Sequence, residues 1–162
     1  MAMLRAAALL PFAFAYATSA CLAEAPPPNV ERTPAVAPKT QTIALVERAT
    51  SDAVSDLGAK GDSIGDLLTF ANEIFDAKNE KKVGSDQGYC LRTVAGKAWE
   101  CNWTLTLADG QITVEGPFFD TSDSVLAVTG GTGAYSGAKG QMKLHARNEK
   151  QTEYDFAYEL VW

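Results

Sequence analysis

The sequence is poor in metal-binding residues and in positive charge. It has one histidine and three cysteines among 162 residues. One cysteine, Cys21, belongs to the predicted leader, and the other two with His145 do not make a usual four-ligand zinc site. Its 14 basic residues are outnumbered by 20 acidic ones, which gives a formal charge of −6. A field of this sign repels phosphate backbones and anionic lipid heads. We therefore expect no metal centre and no nucleic-acid partner.

Complete motifs for phosphate binding and for hydrolysis are also missing. The run Gly130-Gly-Thr-Gly133 fits neither GxxxxGK[ST] nor GxGxxG, and no strand–loop–helix context surrounds it. We interpret it as a glycine-rich turn between strands. The serine and aspartate residues show no nucleophile-elbow or triad spacing. The sequence therefore predicts neither a nucleotide loop nor hydrolase chemistry.

No hydrophobic run is long enough to cross a bilayer as a helix. The apolar stretch 6–17 follows a basic start and precedes small residues and Cys21, a pattern typical of an export signal. We predict a signal peptide over residues 1–23, with a buried N-terminal helix as the alternative. Two processing routes stay open. Lipid attachment to Cys21 would tether an envelope lipoprotein to a membrane, whereas ordinary cleavage would release a periplasmic or secreted protein.

The residues after the signal form a spacer and then one domain. Five of the seven prolines lie in residues 24–40, where they favour an extended chain that cannot pack a core. We predict a linker over 24–40 and a folded domain over 41–162. An apolar content of 46% is sufficient for one real core.

The domain has the alternating pattern of short strands. Between residues 98 and 107, apolar Trp99, Cys101 and Trp103 alternate with polar residues. Eight such segments within one domain indicate an all-β antiparallel barrel or a sandwich, and a closed eight-stranded barrel holds packed side chains or one small ligand. The predicted strands are 42–49, 67–75, 82–94, 98–107, 112–116, 124–129, 141–146 and 154–162.

The remaining two cysteines have a suggestive spacing. If Ala95-Gly96 forms a two-residue turn, Cys90 and Cys101 lie directly opposite each other on antiparallel strands. A turn centred on Gly96-Lys97 would move them out of register. We predict a Cys90–Cys101 disulfide, which suits an exported domain. Two unpaired, buried thiols are the alternative.

Three stretches resemble the allene oxide cyclase family of β-barrels, whose distant relatives are the dirigent proteins. They are 65–76 (GDLLTFANEIFD), 81–90 (KKVGSDQGYC) and the glycine-rich run 112–144. The resemblance implies an eight-stranded antiparallel barrel with an apolar cavity, a homotrimeric assembly and a cyclisation that needs no cofactor. It also favours a strand over residues 64–75, where the apolar spacing alone would suit a helix.

The resemblance further implies the site residues. Glu47 and Asn72 match the catalytic glutamate and a water-holding asparagine, whereas Ala49 replaces a second asparagine. Leu68, Phe70, Cys90 and Trp99 match ligand-lining positions of the family. Trp103 shares a strand face with Trp99, so we also expect it at the ligand.

Each of these residues also has a plain alternative. Glu47 would be solvent-exposed if the strand were shifted by one residue, Asn72 could cap a turn, and the tryptophans could be ordinary core. Two functions stay open: a cofactor-free cyclase or isomerase for a small apolar molecule, and a non-catalytic envelope protein that binds hydrophobic small molecules.

Overall fold

The structure, a computed structural model, describes residues 37–162. The predicted signal peptide, Cys21 and the linker as far as residue 36 lie outside the described residues. Within 37–162, no helix is long and apolar enough to cross a membrane.

The described chain folds into one antiparallel sheet that closes on itself. The strands are β1 (Thr40–Arg48), β2 (Ala53–Ser55), β3 (Leu67–Asp76), β4 (Lys82–Val94), β5 (Ala98–Leu107), β6 (Gly110–Phe119), β7 (Ser124–Gly131), β8 (Lys139–Ala146) and β9 (Glu153–Val161). The sheet order is β1-β9-β8-β7-β6-β5-β4-β3-β2, and β1 pairs with both β9 and β3. The eight long strands form a closed barrel, and the short β2 extends it beside β3. The prediction of a barrel is therefore confirmed.

The helical alternative for residues 64–75 is wrong. β3 runs through this segment and pairs with β4 from Leu67 opposite Leu91 to Phe75 opposite Lys82. Leu68, Phe70 and Asn72 turn to the barrel interior as alternate residues of one strand. The apolar spacing of this segment alone suits either a helix or a strand, and pairing with neighbouring strands makes it a strand.

The core fills the barrel with side chains from every long strand. Trp103 stacks on Phe156 with ring centroids 5.9 Å apart, and Phe70 meets the edge of Trp103 at the same distance. At the end of the barrel where β5 leads into β6, the 3-10 turn Gly133–Tyr135 buries Tyr135. Of the glycine-rich run predicted as a turn, Gly130 and Gly131 are the last residues of β7, and the turn that follows leads to the core residue Tyr135.

The predicted disulfide is present, although the turn beside it differs from the expected one. Cys90 pairs with Cys101 across β4 and β5 and is bonded to it. The turn has three residues, 95–97, and a bulge between Arg92 and Val94 restores the register that a two-residue turn would give. Closing this short loop stabilises the fold by about 3 kcal/mol.

The inward face of β4 is unusually small and polar. Gly84, Asp86, Gly88 and Cys90 are alternate residues along it. A Cβ atom at Gly88 would lie 2.3 Å from the Cβ atom of Trp103, so the close approach of β5 needs glycine there. The missing side chains let β5 pack directly against this strand.

Candidate functional site

A small cavity lies inside the barrel, at the end where β1 finishes and β9 begins. Its volume is about 60 Å³, which is enough for a few waters. Its lining residues are Glu47, Asp52, Leu68, Phe70, Asn72, Cys90, Cys101, Trp103, Phe118, Leu144, Tyr154 and Phe156. Most of this lining is apolar, and the polar groups cluster on the side formed by β1 and β3.

Glu47 faces this cavity and is only 5% exposed. It lies opposite Tyr154 on β9 and opposite Ile74 on β3, so the register of β1 turns it inward. Its Oε1 accepts a hydrogen bond of 2.9 Å from Asn72 Nδ2. Glu47 and Asn72, which are 25 residues apart in sequence, therefore meet in the lumen.

Asn72 uses its whole side-chain amide. Its Oδ1 accepts hydrogen bonds of 3.0 Å from the backbone nitrogens of Thr50 and Ser51, while its Nδ2 also donates to Asp52 Oδ1 at 3.1 Å. The asparagine thus caps the loop after β1 and at the same time orients Glu47. The turn-capping alternative for Asn72 is therefore present, together with a contact to Glu47.

Asp86 is a buried carboxyl group that sequence reasoning missed. It is 2% exposed, pairs with Asn72 on β3 and Leu105 on β5, and lies close to Glu47 behind the cavity lining. Within the described part of the chain, its oxygens have no side-chain partner other than the carboxyl group of Glu47. Strand parity could have found it, because Asp86 shares a face of β4 with Cys90.

The two carboxyl groups titrate together. Burial raises the pKa of Glu47 well above its usual value, and the neighbouring charge of Asp86 raises it further. Burial also raises the pKa of Asp86 from 3.8 to about 7, against the lowering effect of a hydrogen bond from Glu47. The pair therefore changes its charge close to neutral pH, as interacting carboxyl groups do.

Four of the five predicted ligand-binding residues line the cavity. Leu68, Phe70 and Trp103 provide apolar walls, and Cys90 lies there within its disulfide. The bond removes the thiol of Cys90 from any nucleophilic or proton-transfer role.

Trp99 is buried but is not part of the cavity wall. The guanidinium of Arg92 lies 4.2 Å from its ring centroid and is fixed by ion pairs with Asp62 and Asp120. This stacked arginine covers the ring. Trp99 shares its inward face with Trp103, so alternation alone could not separate the two.

A second, open groove adjoins the cavity. Its volume is about 390 Å³, and it shares Phe118, Leu144 and Tyr154 with the cavity. His145 lies in this groove, largely exposed, with its Nδ1 2.7 Å from Asp123 Oδ1. The hydrogen bond to Asp123 raises the pKa of His145. The edge-on pair of Phe118 and Tyr154 lies where the two spaces meet.

The fold and the cavity define a class: closed antiparallel barrels with a small internal cavity. Within that class, the chain belongs to the allene oxide cyclase family, whose model matches residues 37–151.

Solved structures similar to this chain include three proteins with different named activities. One is a pyocyanin demethylase, 26% identical, with a TM-score of 0.62 over 72% of this chain and 98% of that one. A pterocarpan synthase dirigent protein is 15% identical, with a TM-score of 0.63 over 76% and 94% of the two chains. The exo-specific intermolecular Diels-Alderase AbnU is 14% identical, with a TM-score of 0.61 over 76% and 99%. The last two likenesses demonstrate the fold alone.

Proposed function

We propose that this protein is a cofactor-free enzyme of cyclase type that binds a small, largely apolar molecule in the barrel lumen. The observation that carries the proposal is Glu47, a carboxyl group held by Asn72 at the edge of an otherwise mostly apolar cavity. Burying a carboxyl group is costly unless it is hydrogen-bonded or paired with an opposite charge. Perturbed, buried carboxyl groups in cavities are typical of catalytic sites.

In the proposed reaction, the protein acts by shape and by charge. The walls hold one folded conformation of the substrate, which replaces an improbable encounter by a fixed geometry. Glu47, with Asp86 behind it, stabilises positive charge that develops on the substrate as bonds are reorganised. Asn72 acts as a positioning residue, because it keeps the carboxyl group oriented while the charge forms.

Support for this function comes from the family and from the similar structures. The family name denotes a cyclase, and the similar barrels include a Diels-Alderase and a pterocarpan synthase dirigent protein. The barrel is thus a scaffold on which ring-forming steps take place in other proteins. The pyocyanin demethylase adds a planar aromatic substrate to the candidates.

The test is turnover by the purified domain and by its Glu47→Gln variant. The substrates are an unsaturated fatty-acid epoxide, a diene with a dienophile, and pyocyanin. We expect one of them to be converted, at a rate that rises as pH increases through about 7 and Asp86 ionises. Glu47→Gln should lower the rate about 100-fold. The control is Glu115→Gln, which removes a charge from the exposed outer face of β6. Absence of turnover on all three substrates contradicts the enzymatic proposal.

A non-catalytic binding protein is the second candidate. The disulfide favours it, because it leaves Cys90 without a reactive thiol. The cavity of about 60 Å³ is below the several hundred Å³ of common ligand sites, so a ligand of either candidate would extend into the adjoining groove. Native mass spectrometry of protein from its own host would detect a retained hydrophobic ligand, and turnover together with an empty barrel would reject this candidate.

Export and self-association are also part of the proposal, on the basis of the sequence and the family. The mature protein would be periplasmic, secreted, or tethered to a membrane through Cys21, and it would form a homotrimer. The intact mass after export distinguishes a lipidated Cys21 from an unmodified N-terminus. Light scattering gives the number of subunits.

A further inference from the structure

The charges around the cavity all have the same sign. Glu47 and Asp52 line it, and Asp86 lies directly behind Glu47. Among the described residues, no lysine, arginine or histidine lines this cavity. Arg92, the one buried cation among the described residues, is already engaged by Asp62 and Asp120. The protein itself therefore provides no positive partner for these carboxyl groups.

Asp86 makes this imbalance more pronounced. Both of its oxygens are buried, and within residues 37–162 their one side-chain partner is another acid, the carboxyl group of Glu47. A buried carboxylate without a positive partner is strongly unfavourable. A positive charge placed beside Glu47 would stabilise the ionised form of both carboxyl groups.

Aromatic rings surround the same space. Three strands besides β9 contribute Phe70, Trp103 and Phe118, and β9 contributes Tyr154 and Phe156. The faces of aromatic rings carry partial negative charge and attract cations within about 6 Å. Rings and carboxyl groups around one cavity form the usual environment for a ligand with a diffuse positive charge.

We propose that the lumen selects organic cations, such as a protonated or N-alkylated aromatic ring, over neutral and anionic molecules of the same shape. The positive ring would lie where the cavity opens into the adjoining groove, beside Phe118 and Tyr154, with its charge towards Glu47 and Asp86. This selectivity rests on the proposed function only in taking the lumen as the ligand site. It also disfavours a fatty-acid carboxylate near the acidic side of the cavity.

Cation binding should be coupled to proton release. The ionisable groups that face the Glu47–Asp86 pair are Asp52 from the loop after β1 and the phenols of Tyr154 and Tyr158 from β9. The neighbours from β3 and β5, Asn72 and Trp103, are neutral. Burial raises the pKa of both tyrosines, so they stay protonated near neutral pH. A bound cation therefore displaces a proton from the carboxyl pair, and its affinity rises with pH.

Three single-ring probes of similar shape test the proposal. N-methylpyridinium is the cation, toluene is neutral and benzoate is the anion, each titrated calorimetrically into the purified protein at pH 6 and pH 8. We expect N-methylpyridinium to bind at least about tenfold more tightly than either other probe at pH 8. Its affinity should rise about tenfold from pH 6 to pH 8, while that of toluene stays constant.

Variants assign the effect to the lumen. Glu47→Gln and Asp86→Asn keep the side-chain shape, and each should reduce both the preference for the cation and its pH dependence. Glu115→Gln removes the same charge outside the barrel and should change neither. Circular dichroism confirms that each variant is folded. Equal binding of toluene and N-methylpyridinium by the wild type, or failure of N-methylpyridinium to bind, overturns the proposal.

The outcome is separable from that of the proposed function. Cation preference without turnover of any substrate would support this inference while contradicting the enzyme. Turnover of a neutral substrate by a protein that does not discriminate among the probes would do the reverse.

Discussion

Strands β6 to β8 and strands β1, β3 and β4 form opposite sides of one barrel, but their inward faces differ in chemistry. On the first side the interior residues include Ile112, Val114, Leu126, Val128 and Met142, all at most 5% exposed, and Ser124 is the one buried polar residue there. On the second side they include Glu47, Asn72, Gly84, Asp86 and Gly88. We call these two groups the apolar wall and the polar wall.

The difference separates stability from function within a single layer of sheet. The apolar wall contributes most through close packing, where each lost methylene is costly. The polar wall contributes less apolar burial, because its glycines have no side chains and its carboxyl groups oppose burial. A site that requires space and charge is accommodated on the wall that contributes less to the core.

Matched leucine truncations should show the largest contrast. Leu126→Ala on β7 removes a fully buried side chain and should cost about 3 kcal/mol of unfolding free energy. Leu68→Ala on β3 removes a side chain that is partly exposed at the cavity, and it should cost about 1 kcal/mol. Urea denaturation measures both. Equal costs would mean that the two walls are equally packed.

Within the polar wall, Asn72 should be the most important residue for stability. Asn72→Ala leaves two backbone N–H groups of the loop after β1 without their acceptor and should cost about 2 kcal/mol. Asn102→Ala on β5 is the control, because Asn102 makes no side-chain hydrogen bond within the described chain. It should cost about 0.5 kcal/mol or less.

Hydrogen exchange localises the effect of Asn72→Ala. We expect faster exchange at Thr50 and Ser51, whose amides lose their bonds, and unchanged exchange in β6 to β8. If exchange rises equally in both walls, Asn72 stabilises the barrel as a whole rather than the loop that holds Glu47.

The apolar wall and the strands were predictable because alternation is a local property. Each inward residue of β5 and β9 follows from period two, and the register of β4 with β5 followed from the spacing of Cys90 and Cys101. The three-residue turn was missed because a bulge compensates for the added residue, and a bulge leaves little trace in the sequence.

The polar wall was harder to predict because its members meet only through tertiary pairing. Glu47, Asn72 and Asp86 lie on three strands, and which of their side chains touch depends on stagger between strands. Glu47 and Asn72 came from a family resemblance, whereas Asp86 lies outside the matched catalytic positions. The covering of Trp99 by Arg92 depends on ion pairs with two distant loops, which no local pattern encodes.

The smallest expected effect is the pH dependence of stability that Asp86 contributes. Because burial raises the pKa of Asp86 to about 7 in the folded protein, the folded state binds more protons than the unfolded state between pH 4 and pH 7. The stability of the wild type should therefore fall as pH rises through this interval. Asp66, Asp76 and Glu159 act in the opposite sense, because hydrogen bonds lower their pKa values, so the informative quantity is the difference between two proteins.

Asp86→Asn isolates this contribution. The variant and the wild type should have similar stability near pH 4, where Asp86 is protonated, and the variant should be more stable by about 1 kcal/mol at pH 8. The gain is smaller than the shift in pKa alone implies, because Glu47 titrates with Asp86 and takes up part of the effect. Urea denaturation at both pH values measures it, with Glu115→Gln as the control that should follow the wild type. If Asp86→Asn is less stable at pH 8, then the Asp86 carboxylate is stabilised where it lies, and the polar wall does not depend on a ligand to balance its charge.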